Sequence, residues 1–320
     1  MRTSTWLVTA ALVLGALAPA APAVAADGNP LEKTNGFYVD PDAHAAKWVR
    51  DHPNDPLAGP IKTSIATKPG ARWFGNWDTD VRTAVDEYTY AADVADKLPV
   101  LVTYNIPGRD CGGESTGGAG GPQAYRDWIS AFADGIGGKP AIVIIEPDAL
   151  AQLDCLSGQA YTDRVDLLKY ASTQFAQKAP NTWAYMDGGN ATWIPAATMA
   201  TRLKSVGVQS IHGFALNVSN FYTTADSTTY GKAVDAALGY TAPFVVDSSR
   251  NGAGHGTPDD KLWCNPPKRK LGATSQLGGG PEMQLWIKVP GDSDGSCGYG
   301  NGISAGTFDP GLANHLIKGD

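Results

Sequence analysis

The sequence predicts an α/β protein built on a parallel sheet, either an α/β barrel or an open doubly wound sheet. Short apolar runs of β type alternate along the chain with segments of helical periodicity. The run at residues 141–145 is continuously apolar, which is typical of a strand covered on both faces. No Pro/Thr/Ser-rich linker and no internal repeat divides the 320 residues, so one domain of catalytic size is expected.

About seven strands are expected, and they are predicted at residues 72–75, 99–105, 141–146, 183–187, 211–216, 244–247 and 285–289. In the clearest helix, Tyr125 and Phe132 lie two turns apart on one face, and Gly137 with Gly138 ends it. The other helices are predicted at residues 84–97, 161–178, 195–206 and 230–238.

The N-terminus predicts export. Arg2 supplies a positive start, residues 6–17 are apolar but too short to span a bilayer, and residues 23–25 read Ala-Val-Ala, a cleavage-site pattern. The domain boundaries expected are therefore a secretory signal peptide at residues 1–26 and a single catalytic domain at residues 27–320. No later stretch of 18 residues is apolar throughout, so we expect a secreted, extracellular protein without a membrane anchor.

Composition excludes several classes of function. With 25 basic against 32 acidic residues, the net charge of −7 argues against nucleic acid and anionic membranes as partners. The five His show no zinc-binding spacing, and the sequence contains neither a G-x-S-x-G elbow nor a phosphate-binding loop. We therefore expect no metal site and no cofactor.

The four cysteines are expected to form disulfides, because the chain is exported and no C-x-x-C spacing is present. Three pairings are open. The two local ones, Cys111–Cys155 and Cys264–Cys297, close loops that each contribute about 3–4 kcal/mol in the chain-entropy treatment.

Acidic residues follow the predicted strands. Chemistry in parallel α/β folds takes place beyond the carboxyl ends of the strands, and five such ends carry carboxylates here: Asp110, Asp148, Asp187, Asp247, and the pair Asp292 and Asp294. A single aspartate at such a point is usually a helix cap or a turn residue. Five on one rim are hard to explain as caps, and crowding favours keeping one of them protonated as a general acid.

Aromatic residues accompany these acidic loops. Trp73 and Trp77 follow the first strand, Tyr104 ends the second, and Trp193 and Trp263 lie in loops rich in Gly, Asn and Pro. Flat aromatic faces beside carboxylates and amides are typical of a carbohydrate cleft. Trp128 on its helix and Trp183 inside a strand are instead expected to belong to the core.

Several motifs resemble those of glycoside hydrolase family 6, the cellulases. The two most specific are residues 104–111, Tyr-Asn-Ile-Pro-Gly-Arg-Asp-Cys, and residues 145–150, Ile-Glu-Pro-Asp-Ala-Leu. Five more follow in the family's order, at residues 185–189, 212–217, 247–252, 263–266 and 286–291. The resemblance covers nearly the whole chain after the leader.

The resemblance implies a distorted, TIM-like seven-stranded parallel α/β barrel, with an open substrate cleft at the C-terminal ends of the strands. It also implies hydrolysis of β-1,4-glucosidic bonds with inversion, no cofactor, and the local disulfide pairing. The partner implied is a β-1,4-glucan, bound by a protein that we expect to be a monomer. Because the chain is compact, it favours an endoglucanase over a tunnel-forming cellobiohydrolase.

By match to the family's motifs, Asp148 is the general acid that protonates the leaving oxygen. Asp110 would raise the pKa of Asp148 and help to hold the water, and Asp187 is a supporting carboxylate. Asp294 matches the carboxylate proposed as general base, with a relay through water as the alternative. Inversion requires an acid and a base roughly 6.5–9.5 Å apart, which residues on strands across a barrel mouth can provide.

Further roles come from the same match. Tyr104 would crowd the sugar at the cleavage point, and Ser115 or Thr116 would position the water. The candidates for binding glucosyl units are Trp73, Trp193, Asn217, Asn220, Trp263, Lys288 and Asp292. Two positions depart from the family: Asp292 replaces a common Glu, and Asn190 replaces a common His.

Three other functions remain open from the sequence. One is an exo-acting cellobiohydrolase of the same family. Another is a non-catalytic carbohydrate-binding protein on this scaffold, which the joint presence of Asp110, Asp148 and Asp294 disfavours. The third is a metal-dependent hydrolase that uses the aspartate cluster, which sensitivity to a chelator would expose.

Overall fold

The computed structural model describes residues 1, 28–256 and 263–320 of the chain. Apart from its first residue, the predicted leader at residues 1–26 lies outside the described residues. Within the described ranges, no helix has the length and apolar character needed to cross a membrane.

The sheet contains eight strands in the order β1-β2-β3-β4-β5-β6-β8-β7. All neighbours pair in parallel except β7 and β8, which are antiparallel. The strands are β1 (Arg72–Phe74), β2 (Val100–Thr103), β3 (Ala141–Ile145), β4 (Thr182–Asp187), β5 (Gly213–Leu216), β6 (Phe244–Asp247), β7 (Gln276–Leu277) and β8 (Met283–Leu285). The predicted parallel α/β class is therefore confirmed.

The sheet is curled, but β1 and β8 form no strand ladder between them in the described part of the chain. One backbone hydrogen bond joins the residue before β1 to the residue after β8, from Ala71 N to Trp286 O at 2.8 Å. The predicted seven-stranded barrel is thus not reproduced strictly, since β7 is an eighth strand. The ladder is missing because β8 lies between β6 and β7, so its side away from β6 pairs with β7 instead of with β1.

Strand β8 also ends earlier than the sequence predicted. The expected strand ran over residues 285–289, whereas the chain leaves the ladder after Leu285. The reason lies in the neighbouring strand, where the Asp247 carboxylate accepts hydrogen bonds from the amides of Ile287 at 3.3 Å and Lys288 at 2.9 Å. These amides are therefore satisfied by a side chain instead of by the sheet.

Eight α-helices are described: α1 (His44–Asp51), α2 (Ala58–Ile61), α3 (Val81–Val94), α4 (Pro122–Ile136), α5 (Gly158–Lys178), α6 (Ala196–Ser205), α7 (Thr224–Leu238) and α8 (Pro310–Lys318). The five helices predicted from periodicity correspond to α3–α7. Helix α7 begins six residues before the predicted residue 230, because the Thr223 side chain caps it by accepting from Asp226 N. Helices α1, α2 and α8 were not predicted.

The core has two main layers. Inside the curl, apolar side chains such as Val102, Ile144 and Val245 pack together, while Leu101 and Val143 face outward against the helices. The three helices missed by the sequence pack against Trp286 on the outer side of β8, through Ala45 of α1, Ile61 of α2 and Ala313 of α8. This packing places α1 beside the loop that follows β8.

Candidate active site

Four of the sequence-predicted carboxylates meet beyond the carboxyl ends of the strands. Asp110 follows β2, Asp148 follows β3, Asp187 ends β4 and Asp294 follows β8. The structure brings them together, since the charges of Asp187, Asp110 and Asp294 all act on Asp148. Asp247 has a structural role instead. Its carboxylate is fully buried and accepts hydrogen bonds from four backbone amides.

Asp148 and Asp187 form the acidic side of the site. Burial raises the pKa of Asp148 well above its usual range, and the charges of Asp187 and Asp110 raise it further, against the opposing effect of Lys288. Asp187 Oδ1 accepts hydrogen bonds from the backbone amides of Asp148 and Gly189, both at 3.0 Å. Burial also raises the pKa of Asp187, to about 7. A neutral carboxylic acid is therefore available here near neutral pH.

Asp110 is held by its own loop and by the loop after β3. Its Oδ2 accepts from Ser115 N at 2.7 Å, and its Oδ1 accepts from Gln152 Nε2 at 3.2 Å. The disulfide Cys111–Cys155 joins the same two loops, which confirms the first local pairing. Asp110 is thereby fixed beside Asp148.

Tyr104 lies at the base of this side of the site. Its ring meets the Trp73 ring edge-on with 5.1 Å between centroids, and the Arg109 guanidinium lies 4.7 Å from the ring centre. Burial is the main cause that raises the pKa of the Tyr104 hydroxyl, and the nearby Ser115 side chain acts in the opposite direction. Thr116, the alternative to Ser115 in the sequence-based prediction, is exposed on the outside of the loop.

Asp294 has a very different environment. Its Oδ2 pairs with Arg250 Nη1 at 2.7 Å and accepts from Asn265 N at 3.1 Å, while its Oδ1 lies 3.1 Å from Lys288 Nζ. Burial alone would raise the pKa of this carboxyl, but Arg250 and Lys288 outweigh it and hold the pKa below its usual range. Asp294 is therefore an ionised carboxylate.

The loop carrying Asp294 is tied down by the second disulfide. Cys264 and Cys297 are bonded, so the local pairing is confirmed for both pairs. Asn265, next to Cys264, receives a hydrogen bond from Asp294 N at 2.9 Å and donates from its side chain to Gly295 O at 2.9 Å.

Sequence reasoning missed several residues that support the site. Glu146 is completely buried and accepts hydrogen bonds from the amides of Asn105 and Ile106, so it fixes the backbone beside Tyr104. Arg250 is the main partner of Asp294 and lies over the Phe221 ring. Both stand inside motifs that the sequence displays, but their spacing does not show that their charges are buried.

The predicted sugar ligands fall into different environments. Trp193 and Trp263 are exposed, at 39% and 43% of their surfaces, and Trp73 is half-buried. Asn220 and Lys288 are also half-buried. All five therefore keep part of their surface exposed to solvent.

Two of the predicted sugar ligands have partners within the fold. Asn217 is completely buried; its side chain donates to Tyr222 O at 3.1 Å and Asp247 O at 2.8 Å, so it holds loops together. Asp292 is also buried, and its Oδ2 pairs with His44 Nδ1 at 2.9 Å. The Asn217 amide is thus bonded within the fold, and His44 holds one oxygen of Asp292. Asn190, the other departure from the family, is buried and accepts from Thr192 N at 3.2 Å.

Across the described ranges, no three His, Cys, Asp or Glu side chains are grouped so that they would hold a metal ion. The carboxyl groups at the rim can transfer protons to and from a bound substrate or water, because their protonation states differ.

Comparison with known proteins places the chain among carbohydrate-active enzymes. The family described as glycosyl hydrolases family 6 matches residues 32–318. Endoglucanase 1 of Streptomyces halstedii is 52% identical over 309 residues, which cover 95% of this chain and 94% of that relative. Endoglucanase A of Thermobispora bispora is 41% identical over 290 residues, covering 88% of this chain but only 61% of the relative.

A solved structure agrees with these sequence matches. The endoglucanase Cel6 from Mycobacterium tuberculosis, in complex with methyl-cellobiosyl-4-deoxy-4-thio-β-D-cellobioside, superposes with a TM-score of 0.84 at 41% identity. The match covers 91% of this chain and 99% of that one. The relative thus shares the fold over almost its full length.

Proposed function

This chain belongs to glycosyl hydrolase family 6, and from that premise we infer that it is an inverting endo-β-1,4-glucanase that cuts internal bonds of cellulose or related β-glucans. The observation that carries the mechanism is the contrast between two carboxyl groups at one rim. Asp148 has a raised pKa and Asp294 a lowered one. An inverting glycosidase requires one protonated and one ionised carboxyl group.

In the reaction we propose, Asp148 donates its proton to the bridging glycosidic oxygen as the bond to the anomeric carbon breaks. A water molecule attacks that carbon from the opposite face, and its proton passes to a base, so the new hydroxyl has the inverted configuration. Asp110 and Asp187 support Asp148 by keeping its pKa high. The step consumes one water and restores Asp148 when it takes a proton from solvent.

The environment of Asp294 bears on the choice between a direct base and a relay. Both of its oxygens are occupied, by Arg250 and the Asn265 amide on one side and Lys288 on the other. A carboxylate held in this way is a weak base. We therefore propose that the water's proton leaves through neighbouring solvent, while Asp294 supplies the negative charge that stabilises the oxocarbenium-like transition state.

The remaining candidates would hold the sugar. We propose that the Tyr104 ring presses on the sugar at the cleavage point, and that the hydroxyl of Ser115, rather than that of Thr116, positions the water. Trp73, Trp193 and Trp263 would stack on glucosyl rings, while Asn220 and Lys288 would bind their hydroxyls.

We also propose that residues 1–26 are a leader and that residues 27–320 act outside the cell as a single, monomeric catalytic domain. The two disulfides support this, because such bonds persist in oxidising compartments. The contact between Ala71 and Trp286 supports treating the curled sheet as a distorted barrel with an open cleft at its carboxyl edge.

Hydrolysis of carboxymethylcellulose tests the proposal. Viscosity should fall rapidly relative to the reducing ends released, and the activity should survive a chelator. Proton NMR of a fresh cello-oligosaccharide digest should show the α-anomer first. A slow loss of viscosity would instead indicate exo-acting cleavage, β-anomer as the first product would contradict inversion, and loss of activity with the chelator would favour a metal-dependent hydrolase.

A further inference from the structure

We propose that His44 is a positioning residue for the hydrolytic reaction: its imidazolium balances the buried Asp292 carboxylate and so leaves Lys288 paired with Asp294. The inference rests on the proposed function, because it concerns how that active site is held. His44 is the first residue of α1, which lies outside the parallel sheet.

The contact between His44 and Asp292 is specific. The two residues are 248 positions apart in the sequence, and His44 Nδ1 lies 2.9 Å from Asp292 Oδ2. The Asp292 side chain is 8% exposed, and its other oxygen, Oδ1, is buried without a hydrogen-bond partner in the described part of the chain. The imidazole is therefore the main compensation for a buried negative charge.

Lys288 connects this pair to the active site. Its Nζ lies 3.1 Å from Asp294 Oδ1, and its charge also acts on Asp292. Asp292 and Asp294 thus both interact with the same ammonium group, and each has a second cationic partner, His44 for Asp292 and Arg250 for Asp294. If His44 carried no charge, Asp292 would compete with Asp294 for Lys288.

The other charged groups facing the pair are few. Lys47 and Asp40 act on His44 from the side of α1, with opposite signs, and Lys288 and Asp294 act on Asp292 from the loop after β8. The hydrogen bond that His44 donates to the Asp292 carboxylate raises the pKa of His44, so the imidazole stays charged to a higher pH than a free histidine. Burial raises the pKa of Asp292 while His44 opposes that rise.

The variant His44→Gln tests the proposal, because glutamine keeps a hydrogen-bond donor but carries no charge. We expect kcat to fall about tenfold where the wild-type pair is ionised, the size usual for coupling between contacting residues. The deficit should shrink at higher pH, where wild-type His44 is itself neutral, and at low pH, where Asp292 is protonated. A merely structural role would give the same deficit at every pH.

Two further variants sharpen the test. His44→Gln combined with Asp292→Asn should regain most of the lost kcat, since a neutral amide needs no balancing charge. His52→Gln is the matched control, because His52 lies just after α1 and bonds the carbonyl of Trp48 instead of a carboxylate. A pH-independent deficit, a purely additive double variant, or an equal deficit in His52→Gln would each overturn the proposal.

A measurement independent of hydrolysis separates this inference from the function itself. Carbon-13 NMR of the Asp294 carboxyl should show a higher pKa in His44→Gln than in the wild type, because Lys288 is shared with Asp292. An unchanged Asp294 pKa overturns the role of His44 even if the wild type hydrolyses glucan. A wild type that hydrolyses no glucan contradicts the proposed function, and the titration still decides the role of His44.

Discussion

The loops after β3 and β4 and the loop after β8 all bring carboxyl groups to one rim, yet they surround them differently. Around Asp148 the nearest charges are mostly negative, from Asp187 and Asp110, and they add to the effect of burial. Around Asp294, Arg250 and Lys288 supply two positive charges. The same residue type, buried at the same edge, is thus driven toward opposite protonation states.

This contrast teaches that burial alone does not decide the role of a carboxyl group. Partial or full burial raises the pKa of both groups, because a low-dielectric environment favours the neutral form. Only Asp294 has cations close enough to reverse that preference. The positions of Arg250 and Lys288 therefore decide that Asp294 is the anion while Asp148 can serve as the acid.

The variant Asp148→Asn tests the contrast between the two carboxyl groups most directly. It keeps the shape of the side chain but removes the transferable proton. We expect kcat on cello-oligosaccharides to fall by about 10³-fold, within the range that general acids supply. Release of reducing ends measures the effect. Activity close to that of the wild type would show that another group is the acid.

The substitution Asp163→Asn is a suitable control for this variant. Asp163 is a half-buried aspartate of α5 whose carboxylate accepts a hydrogen bond from the Gln159 side chain. Its kcat should stay within about twofold of the wild type, as expected for a surface change away from special features.

Stability should respond in opposite directions on the two sides. Asp294→Asn leaves Arg250 buried without its anion, so we expect about 3–5 kcal/mol less free energy of unfolding at pH 7. Asp294 has a lowered pKa, and it therefore stabilises the fold above the ordinary aspartate range and loses that contribution as the pH falls. Urea unfolding of both proteins at pH 7 and at acidic pH measures this.

Asp187 provides the contrasting case for the same measurement. Its folded pKa of about 7 lies above the unfolded value of 3.8, so the folded state holds the proton more tightly. Its contribution is greatest below the unfolded value and declines as the pH rises through about 7. Asp187→Asn should therefore flatten the loss of stability between these two pH values; a stability curve parallel to that of the wild type would contradict the assignment.

Features of the fold that depend on neighbouring residues could be predicted from the sequence, whereas those that depend on contacts between distant segments could not. The alternation of strands and helices placed β1–β6, and hence the loops carrying Asp110, Asp148 and Asp187, because periodicity is a local signal. The end of β8 was predicted wrongly, since Asp247 captures the amides that would have continued the strand. That contact joins distant segments and leaves no local pattern.

The candidate site shows the same division. Motif matches selected the aspartates that meet at the rim, but Asn217 and Asp292 were predicted as sugar ligands although both are buried. The Asn217 side chain donates hydrogen bonds to carbonyls of neighbouring loops. Asp292 pairs with a histidine of α1, a helix that was not predicted. Burial and partner choice are set by tertiary packing, which spacing in a single sequence does not encode.

A smaller effect is expected when the charge of Asp187 beside Asp148 is removed. Asp187→Asn removes a negative charge that raises the pKa of Asp148, while the amide oxygen still accepts from the backbone amides of Asp148 and Gly189. The alkaline limb of kcat/KM should move to lower pH by about one unit. An alkaline limb that stays in place would mean that Asp187 does not act on the acid.

The smallest effect that we predict is a difference in kcat between variants of two neighbouring hydroxyl residues, Ser115 and Thr116, in the loop that faces Asp148. The Ser115 side chain lies close enough to the Tyr104 hydroxyl to lower its pKa, and the Ser115 amide donates to Asp110, whereas Thr116 is exposed. Ser115→Ala keeps the amide but removes the hydroxyl, so we expect kcat to fall about tenfold, near the lower end for a group that orients a reactant. Thr116→Ala should stay within about twofold. Equal losses in the two variants would mean that the loop acts through its backbone, because then neither hydroxyl orients the water.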